Sequence, residues 1–249
     1  MTSPREPHDM IGPPDMGFLK RILRNNTAEE TGSVFTPGSF EALSEEELQT
    51  HMGIKSYGPF DLTDAIRPSY DLQVVPKQGF RFDEYVDDSS QVRTPVIMAS
   101  VTRRSIMDLF LELIDHLGPV VDVVLETSHH HNSHNQDLYR EHIDMPVLKS
   151  VLLDHEDLLL NDGCTGVAVI NPSLRQEVQL DEHKLIIVYG KPLNHFEKTF
   201  IDGDVYPDEK LKFITEAEHV HSSSEAFFDQ FNTLKHRLGM DTDDYSGCC

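Results

Sequence analysis

From residue 95 onward the chain alternates short apolar runs with helix-spaced apolar stripes, and this alternation constrains the fold more than any other feature. Residues 95–101 read as a buried strand. Residues 103–117 then carry Ile106, Phe110, Leu113, Ile114 and Leu117 on one helical face, and Gly118-Pro119 ends that helix. A second apolar run spans 120–125. Asp144-Met145-Pro146 opens the next helix, with proline in the first turn, where a missing N–H costs nothing; its stripe is Leu148, Val151, Leu152 and Leu159, and Gly163 terminates it. Residues 165–170, 185–189 and 211–215 read as further strands, with 177–180 pairing as a hairpin with 185–189 and a short helix over 192–201. Ser222 with Glu225 forms a capping box before the stripe Phe227, Phe231, Leu234 and Leu238, and Gly239 caps the end.

Strands alternating with amphipathic helices predict a single α/β domain with a largely parallel or mixed sheet of five to seven strands flanked by helices. The stretch 171–184 lacks a helix, so the alternative is an α+β fold with a mixed sheet. Upstream, 71–75 and 80–86 read as strands joined by turn residues 76–79, an N-terminal hairpin added to the sheet. Ser44 with Glu47 is a capping box for a short helix near 40–52. The expected organisation is a flexible N-terminal arm (1–35), a short acidic helix and linker (36–53), an α/β domain (54–240) and a flexible acidic C-terminal tail (241–249). With 38% apolar and 26% charged residues, collagen-like, coiled-coil and wholly disordered chains are excluded.

The formal net charge is −22. A nucleic-acid binder needs a basic face, and the longest basic cluster here is Arg103-Arg104, so no nucleic acid is expected as partner. An anionic membrane is disfavoured for the same reason, and no run of about 18 apolar residues offers a spanning helix. The first residues lack the pattern of a secretory signal, and the three cysteines make no disulfide framework, so the expected setting is soluble and cytoplasmic. The final Ser246-Gly247-Cys248-Cys249 resembles the doubly prenylated ends of Rab-type GTPases. A phosphate-binding P-loop is absent, which removes the GTPase reading.

In open α/β sheets, ligands bind beyond the carboxyl ends of strands, so chemistry is sought after each strand. The stretch 128–144 reads as a long polar loop holding His129, His130, His131, His134 and His142. Strand alternation puts His219 and His221 on one face and Glu218 on the other. Imidazole and carboxylate suit a divalent transition metal, and the candidate ligands are His129, His131, His219 and His221. Glu126 or Glu218 is the candidate general base, with Arg103 fixing an anionic substrate; Arg103, Arg104 and Lys191 are the candidate anion-binding residues. Cys164, at the entry of a buried strand, reads as packing. Nucleophile-elbow, kinase and dinucleotide-binding signatures are absent.

Three functions fit. The first is a non-enzymatic binding, adaptor or regulatory domain whose partner is another protein or a small anionic ligand. It rests on the missing catalytic motifs and the long charged arms. The second is a metal-assisted hydrolase built on the histidine-rich strand ends. The third is a pH or metal sensor, since the 14 histidines could offset much of the negative charge on protonation.

Overall fold

A computed structural model describes residues 39–40, 43–87, 92–129 and 136–241, all within one compact unit, 37–249. The first described helix, α1 (Glu45–Met52), starts at the expected capping box: Ser44 Oγ accepts from Glu47 N, and Glu47 returns the bond to Ser44 N. Next come a two-stranded hairpin, β1 (Ser56–Tyr57) and β2 (Phe60–Asp61), and then β3 (Ile66–Pro68). The main sheet comprises β4 (Gly79–Val86), β5 (Arg93–Ser100), β6 (Val120–Thr127), β7 (Gln136–Asp144), β8 (Thr165–Asn171), β9 (Gln176–Leu180) and β10 (Leu185–Tyr189). Between and after these strands lie α2 (Arg103–Asp115), α3 (Met145–Asp154), α4 (Glu156–Asn161), α5 (Asn194–Asp202), a 3-10 turn at Ile214–Glu216, β11 (His219–His221) and α6 (Glu225–Arg237).

The expectation of a largely parallel or mixed sheet is overturned. The seven strands run in the order β4-β5-β10-β9-β8-β6-β7, and every neighbouring pair is antiparallel. The error has a definite physical source. Strands β5 and β6 point the same way and are joined by helix α2, so locally they read as a strand-helix-strand crossover. They are not neighbours: β10, β9 and β8 fill the space between them. Those three strands are linked by tight turns, with Asn171 facing Gln176 and Asp181 N bonding Leu185 O, and such turns leave no length for a parallel crossover.

Other boundaries shift too. Strand β4 pairs with β5, with Gly79 opposite Ser100 and Val86 opposite Arg93, so the hairpin is 79–100 and residues 71–75 are not a strand. The stretch read as a loop contains β7, which pairs along β6. Residues 211–215 do not form a strand; 214–216 make the 3-10 turn. The helix after Asp144 breaks at His155, whose buried ring Nδ1 bonds the Val151 carbonyl at 2.8 Å. In α6 the cap is Ser224 rather than Ser222.

The helical stripes are where the sequence puts them. Ile106, Phe110, Leu113, Leu148, Leu152, Phe196, Phe200, Phe231 and Leu234 share one core with Ile97, Val123, Val167, Val178 and Ile186. The helices thus cover one face of the sheet. Among the described residues, no helix is long and apolar enough to cross a membrane.

The small sheet β3–β11 docks against the start of β8. Gly163 N donates to Ser222 O at 2.7 Å, and Ser222 N donates to Ala65 O at 2.8 Å. A Cβ on Gly163 would lie 2.4 Å from Ala65 O and 2.9 Å from Ser222 O, so the two backbones can approach only at a glycine. Buried Arg67 braces β3 from within by donating to the carbonyls of Met52, Thr63 and Ile66. This docking carries the β11 histidines to one end of the main sheet.

Candidate metal centre

Three imidazoles meet there: His219 and His221 from β11, and His183 from the turn between β9 and β10. Their ring centroids lie 4.8–5.2 Å apart, and one ring nitrogen from each falls within 4.8 Å of the others. Strand alternation puts His219 and His221 on the same side, while Glu218 turns away and accepts the Ser39 amide at 2.7 Å.

Each ring is anchored through Nδ1. His219 Nδ1 is 2.8 Å from Ala217 O, His221 Nδ1 is 2.6 Å from Gly163 O, and His183 Nδ1 is 2.9 Å from Asp181 Oδ2. A carbonyl oxygen can only accept, so the Nδ1 of His219 and of His221 carries the proton, and in the neutral ring Nε2 holds the lone pair. The Asp181 carboxylate imposes the same arrangement on His183. Burial, and after it the neighbouring imidazoles, hold His219 and His221 below the usual histidine range, although their backbone bonds pull the other way. Both are therefore neutral at pH 7. Neutral imidazoles whose other N–H is held by a carbonyl or carboxylate are the form in which histidine ligates transition metals.

The turn is shaped by Asp181. Its Oδ1 accepts from His183 N at 3.0 Å and from Leu185 N at 2.8 Å, while its Oδ2 orients the His183 ring. Burial alone would raise this carboxyl. The His183 contact, the Leu185 N–H and Lys184 outweigh burial and hold the carboxyl below its usual range. Lys184 closes the turn at φ +61 and donates from Nζ to Thr165 O at 2.8 Å. Burial pushes its ammonium down to about 8, even though Asp162, Asp181 and Glu182 favour the charge. Glu182 Oε2 accepts the Ser128 hydroxyl at 3.0 Å. A cleft opens beside His183 and Lys184, walled by Phe60, Leu62, Ile66, Ser100 and Ile214.

A second group borders the first. His129, just past the end of β6, lies against Asp162 and Cys164 at the entry of β8, with ligand atoms within 4.8 Å of one another. The two groups share Gly163, which stands between Asp162 and Cys164 and accepts the His221 ring.

The four histidines expected to share one site are thus divided. His219 and His221 join His183, His129 joins Asp162 and Cys164, and His131 lies outside the described residues. His130 and His134 also lie outside them. Glu126 is buried in the sheet and accepts from Gln179 Nε2 at 2.8 Å; neither it nor Glu218 belongs to the groups that converge. Arg103 and Arg104 are paired with Asp64 and Asp61, which occupies their charge. Lys191 is exposed and lies past β10 at the opposite end of the sheet, because Tyr189 pairs with Val96 whereas Leu185 pairs with Ser100.

Sequence reasoning misses His183, Asp162, Glu182 and Lys184, and assigns Cys164 to packing. In an antiparallel sheet, one edge gathers the residues after the end of one strand and those before the start of its neighbour. Asp181-Glu182-His183-Lys184, four titratable residues in a tight turn between apolar strands, is the signal that could have found the centre. Comparison with known protein families, with curated proteins and with solved structures finds no match for this chain.

Proposed function

We propose that this protein is a metal-dependent hydrolase that holds a divalent transition ion of zinc type on His183, His219 and His221. The observation that carries the reading is the anchoring of all three rings through Nδ1, which leaves three Nε2 lone pairs free in a group where one ring nitrogen from each histidine lies within 4.8 Å of the others. Three protein nitrogens would leave a bound ion a position open to water, as in catalytic rather than structural zinc sites. Such an ion lowers the pKa of bound water and supplies a hydroxide at neutral pH. Glu182, within electrostatic reach of His221, is the carboxylate we assign to accept the water proton. A small, mostly apolar cleft borders His183, one of the three ligands.

This reading displaces the partner-binding one, which expects no convergent site. An anionic ligand draws little support, because Arg103 and Arg104 are already paired. A reducing cytoplasm remains part of the reading, since Cys164 has no disulfide partner among the described residues.

The test is the metal content of untagged protein purified without chelator or nickel resin, with and without His219→Ala/His221→Ala. We expect about one equivalent to be lost in the variant, together with chelator-sensitive hydrolysis of activated neutral ester substrates. Trace metal, unchanged by the substitutions, would sink the proposal.

A further inference from the structure

We infer that His129, Asp162 and Cys164 form a second, thiolate-containing site for a divalent transition ion, one peptide away from the three-histidine group. It stands on its own observations and does not require the hydrolase reading.

Asp162 is fully buried. Its Oδ2 accepts from Thr165, and its Oδ1 has no hydrogen-bond partner among the described residues. His129 is held through Nδ1 by the Thr127 hydroxyl at 2.6 Å, and its buried Nε2 likewise makes no hydrogen bond. That nitrogen lies 3.1 Å from Asp162 Oδ2 and pairs with it electrostatically, and Ser223 adds to the hold on the same carboxylate. Asp162 Oδ1 is therefore a buried oxygen without a hydrogen bond, in a group whose three ligand atoms lie within 4.8 Å of one another. Buried polar groups in native proteins are nearly always paired, and an orphan calls for an explanation such as an ion. Phe228 and Phe231 pack on the His129 ring with centroids at 5.3 and 5.6 Å, giving the group a dry wall. Such a wall excludes water and strengthens coordination.

The ligand set points to the ion's class. Thiolate with imidazole and carboxylate suits zinc or cobalt rather than calcium or magnesium. Burial raises the Cys164 thiol, against hydrogen bonds with Ser128 and Ser223, and the Asp162 charge adds to the rise. The apo site therefore carries a protonated thiol. On binding, the metal–sulfur bond replaces the S–H bond, and the proton passes to solvent. Gly163 ties this site to its neighbour, since the His221 ring bonds to the carbonyl between two of the ligands.

Cobalt(II) titration of the full chain tests this, in a Cys248→Ser/Cys249→Ser background so that Cys164 is the only thiol. We expect two equivalents and a near-ultraviolet thiolate-to-cobalt band. Cys164→Ser should remove the band and one equivalent. His219→Ala/His221→Ala should remove the other equivalent and keep the band. Should Cys164→Ser fail to fold, Asp162→Asn should weaken the banded site at least tenfold. One equivalent without a band would overturn this inference and leave the three-histidine centre standing. One equivalent with a full band would support this inference and sink the hydrolase reading. A band that survives Cys164→Ser would overturn it outright.

Discussion

Asp181 and Glu177 lie at opposite ends of β9, both buried, yet their acidities move in opposite directions. Burial pushes Glu177 up to about 8, and the charge of Glu126 adds to the rise. Asp181 suffers the same burial and is held below its usual range by His183, the Leu185 amide and Lys184. Equal desolvation thus gives opposite results because one carboxyl has cationic and N–H partners and the other has a carboxylate neighbour. The end of the sheet that carries the histidines is built to hold charge, whereas the far end of the same strand, where Glu177 pairs with Ile170 and Tyr189, is not. An electrostatic argument of this kind separates a site from a buried polar residue better than residue type does.

The largest expected effect tests the Glu177 half of this contrast. The folded form keeps the Glu177 proton up to about pH 8, whereas the unfolded chain releases it near the ordinary glutamate value of 4.5. Between those values the folded state binds more protons, so stability falls as pH rises through the window and the loss is complete above about 8. At about 1.4 kcal/mol per pKa unit this is roughly 4–5 kcal/mol. Glu177→Gln should therefore stabilise the protein by several kcal/mol at pH 8.5, with little change near pH 4.5, as read from urea midpoints. Parallel pH profiles for the two proteins would break the contrast.

The Asp181 half is tested by Asp181→Asn. The amide oxygen can still accept from His183 N or Leu185 N, but an amide NH₂ facing His183 Nδ1 would disfavour the tautomer that leaves Nε2 free. Losing such an outer partner typically costs about 10–100-fold in metal affinity. Competition with a chromophoric chelator would measure it. His116→Ala is the control. The His116 and His195 rings also meet, 4.9 Å apart, but His116 Nε2 is spent on the Thr199 hydroxyl and neither ring belongs to a ligand group among the described residues. That variant should leave affinity unchanged; a loss matching that of Asp181→Asn would remove the distinction between the two histidine clusters.

Much of the fold was legible, and the reason it was only part is specific. The helical stripes, the capping box at Ser44 and the 177–189 hairpin arise from local periodicity and turn chemistry, which depend on neighbours in sequence. Strand direction depends on which strands lie between β5 and β6, and the 95–125 pattern is the same whether that gap is empty or filled by later strands. The pairing of His219 with His221 was legible from period-two alternation. Their third partner was not, because His183 reaches them only through the docking of β11 at Gly163, a contact set by backbone approach rather than by any motif.

The smallest expected effect compares the two turns flanking β9. Arg175 and Lys184 both adopt the left-handed conformation, at φ 52 and 61, where a side chain costs on the order of 1 kcal/mol relative to glycine. Arg175 is exposed in the turn at the far end of the sheet, so Arg175→Gly should stabilise the protein by up to about 1 kcal/mol, less the extra freedom glycine gives the unfolded chain. Lys184→Gly obtains the same backbone relief. It also deletes the Nζ bond to Thr165 O and the ammonium that interacts with both Asp162 and Asp181, so its net effect should be zero or destabilising. Thermal melts at pH 7 would read both. If the two glycine variants stabilise equally, Lys184 contributes nothing to the charge balance beside the histidines, and the contrast between a built site and an ordinary turn would rest on the imidazoles alone.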